Sequence, residues 1–186
     1  MISLSALWLP ILLASVIVFA ASSVIHMTPL WHKNDFPRMP REDEVLQALR
    51  PFAIPPGDYF VPRPGNRDEM RSPEFKEKLA KGPVAVMTVM PNGMFHMGKN
   101  LAQWFVFLVV VGIFVAYISS RALGVGAPYL KVFQIAGATA FIGYSLALCE
   151  LSIWYQRSWS LTLKAAFDGL IYASLTAGTF GWLWPR

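Results

Sequence analysis

The residues with the most evident chemistry are histidines, methionines and one aspartate. Met87, Met90, Met94, His96 and Met97 fall within eleven residues, and His26, Met27 and His32 follow the first long apolar run. Thioether sulfur suits Cu(I), and imidazole suits copper, iron or zinc. His26, His32, His96, Met90, Met94 and Met97 therefore make a candidate soft-ligand set. Packing competes with this reading, because methionine fills irregular gaps and spacing alone selects no metal. His26 with His96 would also serve as a haem pair. Many membrane haem sites, however, place their histidines inside spans, and none of the three lies there.

Asp168 is the second candidate. It lies about two turns into the last apolar run. A carboxylate inside a membrane is costly and marks a functional site by default. Tyr172, four residues on, offers a hydrogen bond, and Lys164, four residues before, offers an ion pair. Glu150, Gln156 and Arg157 could join from the preceding loop, and Thr176 and Thr179 continue a weakly polar side. Asp168, Tyr172, Lys164 and Glu150 thus form a candidate ion site or proton relay. The alternative is a buried structural pair, Asp168 with Lys164 or Arg157, near one interface.

These candidates need elements to position them, and composition says which kind. Of 186 residues, 55% are apolar and 15% charged. Soluble domains carry about 25% charged residues. Of 27 charged residues, 20 fall between His26 and Asn100, and the other 111 positions share seven. That block pattern suits a polytopic membrane protein. The net charge of +5 reads as orientation and anionic-lipid contact, not as nucleic-acid binding. The one cysteine, Cys149, allows neither an intrachain disulfide nor a thiolate metal site.

A span needs roughly 20 mostly apolar residues. Four runs qualify: Ile2 to Ile25, Leu101 to Ser120, Val132 to Cys149 and about Leu161 to Trp184. The expected organisation is a first transmembrane helix in 1–27, a polar cap in 28–99, and helices at about 101–120, 132–150 and 161–184. Pro10 suits a first helical turn. A cleaved signal peptide is the rival reading of the first run, but no Lys or Arg precedes it. Asn100 with Gln103 reads as a capping pair for the second run. Trp154, Tyr155 and Trp159 before the fourth run, and Trp182 and Trp184 at its end, mark two interfaces.

Ala165, Gly169, Ala173, Ala177 and Gly181 recur every four residues. Such a small-residue seam permits close helix contact, within the chain, with another copy or with another membrane subunit. Thr139, Gly143 and Ala147 offer a shorter seam. The expected fold is an all-α membrane protein: a four-helix transmembrane bundle with a small α/β cap.

Within the cap, Pro40 to Arg50 and Ser72 to Lys81 read as short helices, the second capped by Ser72 and stopped by Gly82 and Pro83. Pro51 to Arg71 should be extended. Val84 to Met90 has strand composition, and Asn92-Gly93 signals a hairpin to Met94–Met97. Near the span ends, seven Lys and Arg on the cap side against three on the other place the long loop in the cytoplasm.

Neither HExxH, GxSxG, a Walker loop nor paired CxxC occurs, and nucleic-acid modules are absent. Asp168-Gly169 begins a phosphatidyltransferase pattern whose arginine and later aspartates are missing. The stretches Pro51-Phe-Ala-Ile-Pro-Pro-Gly-Asp-Tyr59, Phe167-Asp-Gly-Leu-Ile-Tyr172 and Thr179-Phe-Gly-Trp-Leu-Trp-Pro-Arg186 resemble a group of uncharacterised bacterial inner-membrane proteins. The likeness covers most of the chain. It implies a bacterial source and a plasma-membrane location, and it implies no activity or site residue.

The functional expectation is a non-catalytic accessory, assembly or scaffold subunit. The alternatives are a small transporter or proton-coupled carrier using Asp168, and a copper-handling protein using the Met/His set. No cofactor is expected, with copper and haem left open.

Overall fold

A computed structural model of the chain describes residues 2–28, 31–94 and 96–186. In chain order the helices are α1 (Trp8–Met27), α2 (Glu42–Leu49), α3 (Arg67–Arg71), α4 (Pro73–Lys81), α5 (Met97–Ala122), α6 (Tyr129–Tyr144), α7 (Cys149–Trp154) and α8 (Trp159–Trp182). Two strands, β1 (Gly57–Val61) and β2 (Ala85–Val89), form one antiparallel sheet. The chain divides into two compact units, Met1–Phe36 with His96–Arg186, and Pro37–Phe95. The boundary at 36 leaves residues 31–36 with the long helices, not with the polar segment.

In the first unit, α1 packs on α5 and α8, α5 on α6, and α6 on α8. Three stretches are long and apolar enough to cross a membrane: Leu4–Met27, Met97–Ala122 and Tyr129–Trp154. Their apolar residues face both ways. On α5, Leu108, Val111, Val115 and Ala116 are buried, while Val106, Val110, Ile113 and Phe114 are exposed. An all-round apolar helix of this kind is what a membrane span requires.

α8 explains why the helices come close. Ala173 and Ala177 are buried, and a Cβ on Gly137 of α6 would stand 3.2 Å from the Ala177 side chain. A Cβ on Gly181 would stand 2.7 Å from the Tyr129 ring, and one on Gly169 would collide with Ser145 Oγ. The small-residue seam is thus occupied by α6 and its flanks in the same chain.

Local expectations were corrected in three places. α5 starts at Met97, so Asn100 and Gln103 lie inside it, and His96 stands at the N-cap without a side-chain bond. The third run is interrupted: α6 ends at Tyr144, and a 3₁₀ turn over Leu146–Leu148 leads into α7. Buried Ser145 leaves the helical region there (φ −133°, ψ −39°), and its hydroxyl faces the Ala166 carbonyl at 3.4 Å. The bare backbone of Gly169 gives that hydroxyl room.

The third correction lies in the second unit. β2 pairs with β1, register Gly57↔Val89 to Val61↔Ala85, and not with Met94–Met97. Thr88 Oγ1 donates to Asp58 Oδ1 at 2.6 Å across the pair. Pro91 follows β2, and α5 opens at Met97, which leaves too few residues for a returning strand. Phe95 lies outside the described residues. α2 and α4 form as expected, the latter with Ser72 accepting from the Phe75 N–H. The segment expected to be extended contains β1 and the short α3.

Overpacking the seam should cost about 1–3 kcal/mol. Gly181→Val should therefore lower the thermal midpoint of the purified protein by several degrees. Gly178→Ala, whose Cβ would meet only Tyr129 Oη at 3.6 Å, should leave it almost unchanged. Equal melting of the two variants would contradict this packing.

Candidate histidine and carboxylate centre

α8 presents Asp168 inward, and the carboxylate residue is only 4% exposed. Its partners come from the segment that follows α1. Trp31 Nε1 donates to Asp168 Oδ1 at 3.1 Å, and His32 Nε2 stands 3.0 Å from Asp168 Oδ2. The latter approach is close but not in line, and His32 Nε2 is buried without an aligned hydrogen bond. The other His32 nitrogen, Nδ1, lies 2.6 Å from Asp35 Oδ2. Lys164 Nζ donates to Asp35 Oδ1 at 2.6 Å and to the Trp31 carbonyl at 2.9 Å. Hydrogen bonds from Lys164 and then His32 hold the Asp35 carboxyl below the ordinary aspartate range.

The local reasons are legible. Lys164 and Asp168 are one helical turn apart on α8, so both reach the same short segment. His32 and Asp35 are three residues apart in a turn closed by the Asp35 N–H on the His32 carbonyl, 3.1 Å. Trp31 also packs its ring on Phe167, centroids 5.6 Å apart, and lies under the Lys164 ammonium at 5.8 Å.

His26 joins from the last turn of α1. Its ring stacks on His32, centroids 4.5 Å apart and planes 13° from parallel. Its Nδ1 lies 2.9 Å from the Ser22 carbonyl. One ligand atom each from His26, His32 and Asp168 lie within 4.8 Å of one another. His26 is exposed, His32 half-buried and Asp168 buried, so this trio runs from surface to interior.

The sequence-based candidates are therefore regrouped. His26, His32, Asp168 and Lys164 come together. Lys164 pairs with Asp35, not with Asp168. Tyr172 does not hydrogen-bond Asp168: its hydroxyl is buried with no hydrogen-bond partner among the described residues, and its ring meets Tyr144 and Trp104. Glu150 is exposed on α7. His96 is exposed and outside the trio, and exposed Met97 opens α5. Met90 and Met94 are exposed and belong to the second unit.

Trp31 and Asp35 were missed. The signal was present: a buried carboxylate needs partners, and the expected four-span topology puts the segment after the first run on the same side as the start of the fourth. His32 and Asp35 stand there at turn spacing.

Lys164→Met leaves Asp35 without its main cation and frees residues 31–36. Losing the charge-assisted hydrogen bond to Asp35 removes the main tie of this segment to α8. Amide exchange in 31–36 should accelerate about tenfold or more, with that of α5 unchanged. Unaltered protection of 31–36 would show that Lys164 does not hold the segment.

No protein-family model matches the chain, and no curated protein or solved structure matches it, so what the centre does has to follow from its own chemistry.

Proposed function

We propose that this chain is a four-span integral membrane protein that serves as a non-catalytic subunit, with the charged centre clamping α8 to the segment after α1. The observation that carries the span reading is the inverted burial of α8. Leu163, Phe167, Leu170 and Trp182 are exposed, while Thr162, Asp168, Thr176 and Thr179 are buried. A helix that turns aliphatic and aromatic side chains outward and its carboxylate inward is suited to lipid, where unpaired polar groups are costly. Lys164 and Asp168 lower its mean hydropathy, which is why composition alone marks only three spans.

The small-residue packing of α6 on α8 fits this setting. Helices in lipid associate through close contact and interhelical hydrogen bonds, not through apolar burial. Trp104 Nε1 to Ser22 Oγ at 2.9 Å and the Ser152–Thr162 hydroxyl pair at 2.7 Å supply such bonds. The basic residues near the ends of segment 28–99 favour its cytoplasmic placement, and the resemblance to bacterial inner-membrane proteins favours the plasma membrane.

The clamp supports the structural, non-catalytic part of this reading. Lys164, Asp35, His32 Nδ1 and Trp31 are linked by hydrogen bonds, and Trp31 donates to Asp168, so the segment after α1 is fixed to α8. A second reading, a small-cation carrier, is favoured by one observation. Below Asp168 the buried face of α8 continues with the unpartnered Tyr172 hydroxyl, then Thr176 and Thr179.

Mild extraction from native membranes followed by native mass spectrometry separates the readings. The subunit reading expects a second protein bound in fixed stoichiometry, and reconstituted vesicles of the chain alone without cation flux. Flux through the wild type that Asp168→Asn abolishes would overturn it in favour of the carrier.

A further inference from the structure

Hydrogen positions at the centre can be deduced from its acceptors. The Ser22 carbonyl and the Asp35 carboxylate both accept only. His26 Nδ1, at 2.9 Å from the first, and His32 Nδ1, at 2.6 Å from the second, must therefore carry the ring protons. In a neutral imidazole this leaves Nε2 of each ring with its lone pair. His32 Nε2 then points a lone pair toward a carboxylate oxygen 3.0 Å away, with no aligned hydrogen bond between them. Two acceptors at that distance repel unless a proton on Nε2 or a metal ion between them relieves the contact.

The charges lead to the same place. Lys164 offsets Asp35 directly. Asp168 receives only a neutral indole N–H on Oδ1. Its negative charge is buried, and no side chain of fixed positive charge is paired with it among the described residues.

We infer that His26 Nε2, His32 Nε2 and Asp168 Oδ2 bind a divalent transition-metal ion. Two imidazoles and one carboxylate leave further coordination positions open, an arrangement that suits Zn²⁺, Fe²⁺ or Mn²⁺. The donor set lacks the sulfur that favours Cu(I), so this site differs from the methionine-rich one expected from sequence. Each ligand already has the outer partner that metal sites use to fix ligand orientation: the Ser22 carbonyl for His26, the Asp35 carboxylate for His32 and the Trp31 indole for Asp168. Ligand atoms about 2.1 Å from one ion stand roughly 3–3.5 Å apart, so the residues, whose candidate ligand atoms lie within 4.8 Å of one another, draw closer on binding. His26 is the exposed member at the end of α1 and supplies that movement. This inference does not depend on whether the protein acts as a subunit or a carrier.

The test is titration of the chelator-stripped full chain in detergent with Co²⁺, read by its visible d–d absorption, and with Zn²⁺ by calorimetry. One ion per chain is expected. His26→Ala, His32→Ala and Asp168→Asn should each weaken binding about 100-fold or more. Asp35→Asn should weaken it about 10- to 100-fold, as loss of an outer partner does. His96→Ala should bind as the wild type does. Because His26 is exposed, His26→Ala should keep its helical circular dichroism and elution volume, so its result stands even where Asp168→Asn fails to fold. No ion bound by the wild type, or full affinity in folded His26→Ala, would overturn the assignment.

Discussion

A carboxylate on the inward face of α8 is the constraint around which the rest of the first unit is arranged. An isolated charge removed from water costs several kcal/mol even after relaxation. Asp168 is nearly inaccessible, so something must compensate for its lost hydration. Part of the compensation comes from a six-residue stretch beyond the end of α1, through the Trp31 indole N–H, while His32 stands against the other carboxylate oxygen and Asp35 and Lys164 hold the stretch in place. None of these groups is far from α8 in space, although 129 residues separate Asp35 from Lys164.

This arrangement sets what the surrounding helices do. α1 has to end where residues 31–36 can fold back on α8, and the two are in contact. α6 approaches α8 along its small residues, and at Ser145 its helix gives way where it meets Gly169. Trp104 ties α5 to α1 through Ser22, the residue whose carbonyl orients His26. The charged and imidazole groups of the first unit that are buried or half-buried therefore gather where α1 ends and α8 begins.

Much of this was legible in sequence. Apolar runs bracketed by charge pointed to helical segments because charge exclusion acts locally, but they did not show the break of the third run after Tyr144. Asp168 and Lys164 stood out for the same reason. Less legible was the partner choice. Lys164 and Asp168 have the one-turn spacing of an ion pair, yet Lys164 reaches Asp35 because Asp35 is offered by a neighbouring segment and Asp168 has other donors. The β1–β2 pairing was hidden in a similar way. Asn92-Gly93 is a strong local turn signal, but β2 pairs with a strand well upstream, Val61 and Ala85 being the closest pair in sequence at 24 residues apart. Tertiary selection among locally acceptable partners is what a single sequence does not reveal.

The central claim is that α8 spans the membrane with Asp168 turned away from lipid. Spin labels placed singly at positions 163, 167, 170 and 174 of the reconstituted protein measure it most directly, through collision with oxygen, which concentrates in lipid, and with a water-soluble nickel chelate. The account predicts high oxygen and low nickel accessibility at 167, 170 and 174, with nickel rising only toward 163. High nickel accessibility at 167 and 170 would show that this face of α8 meets water, and would contradict the account.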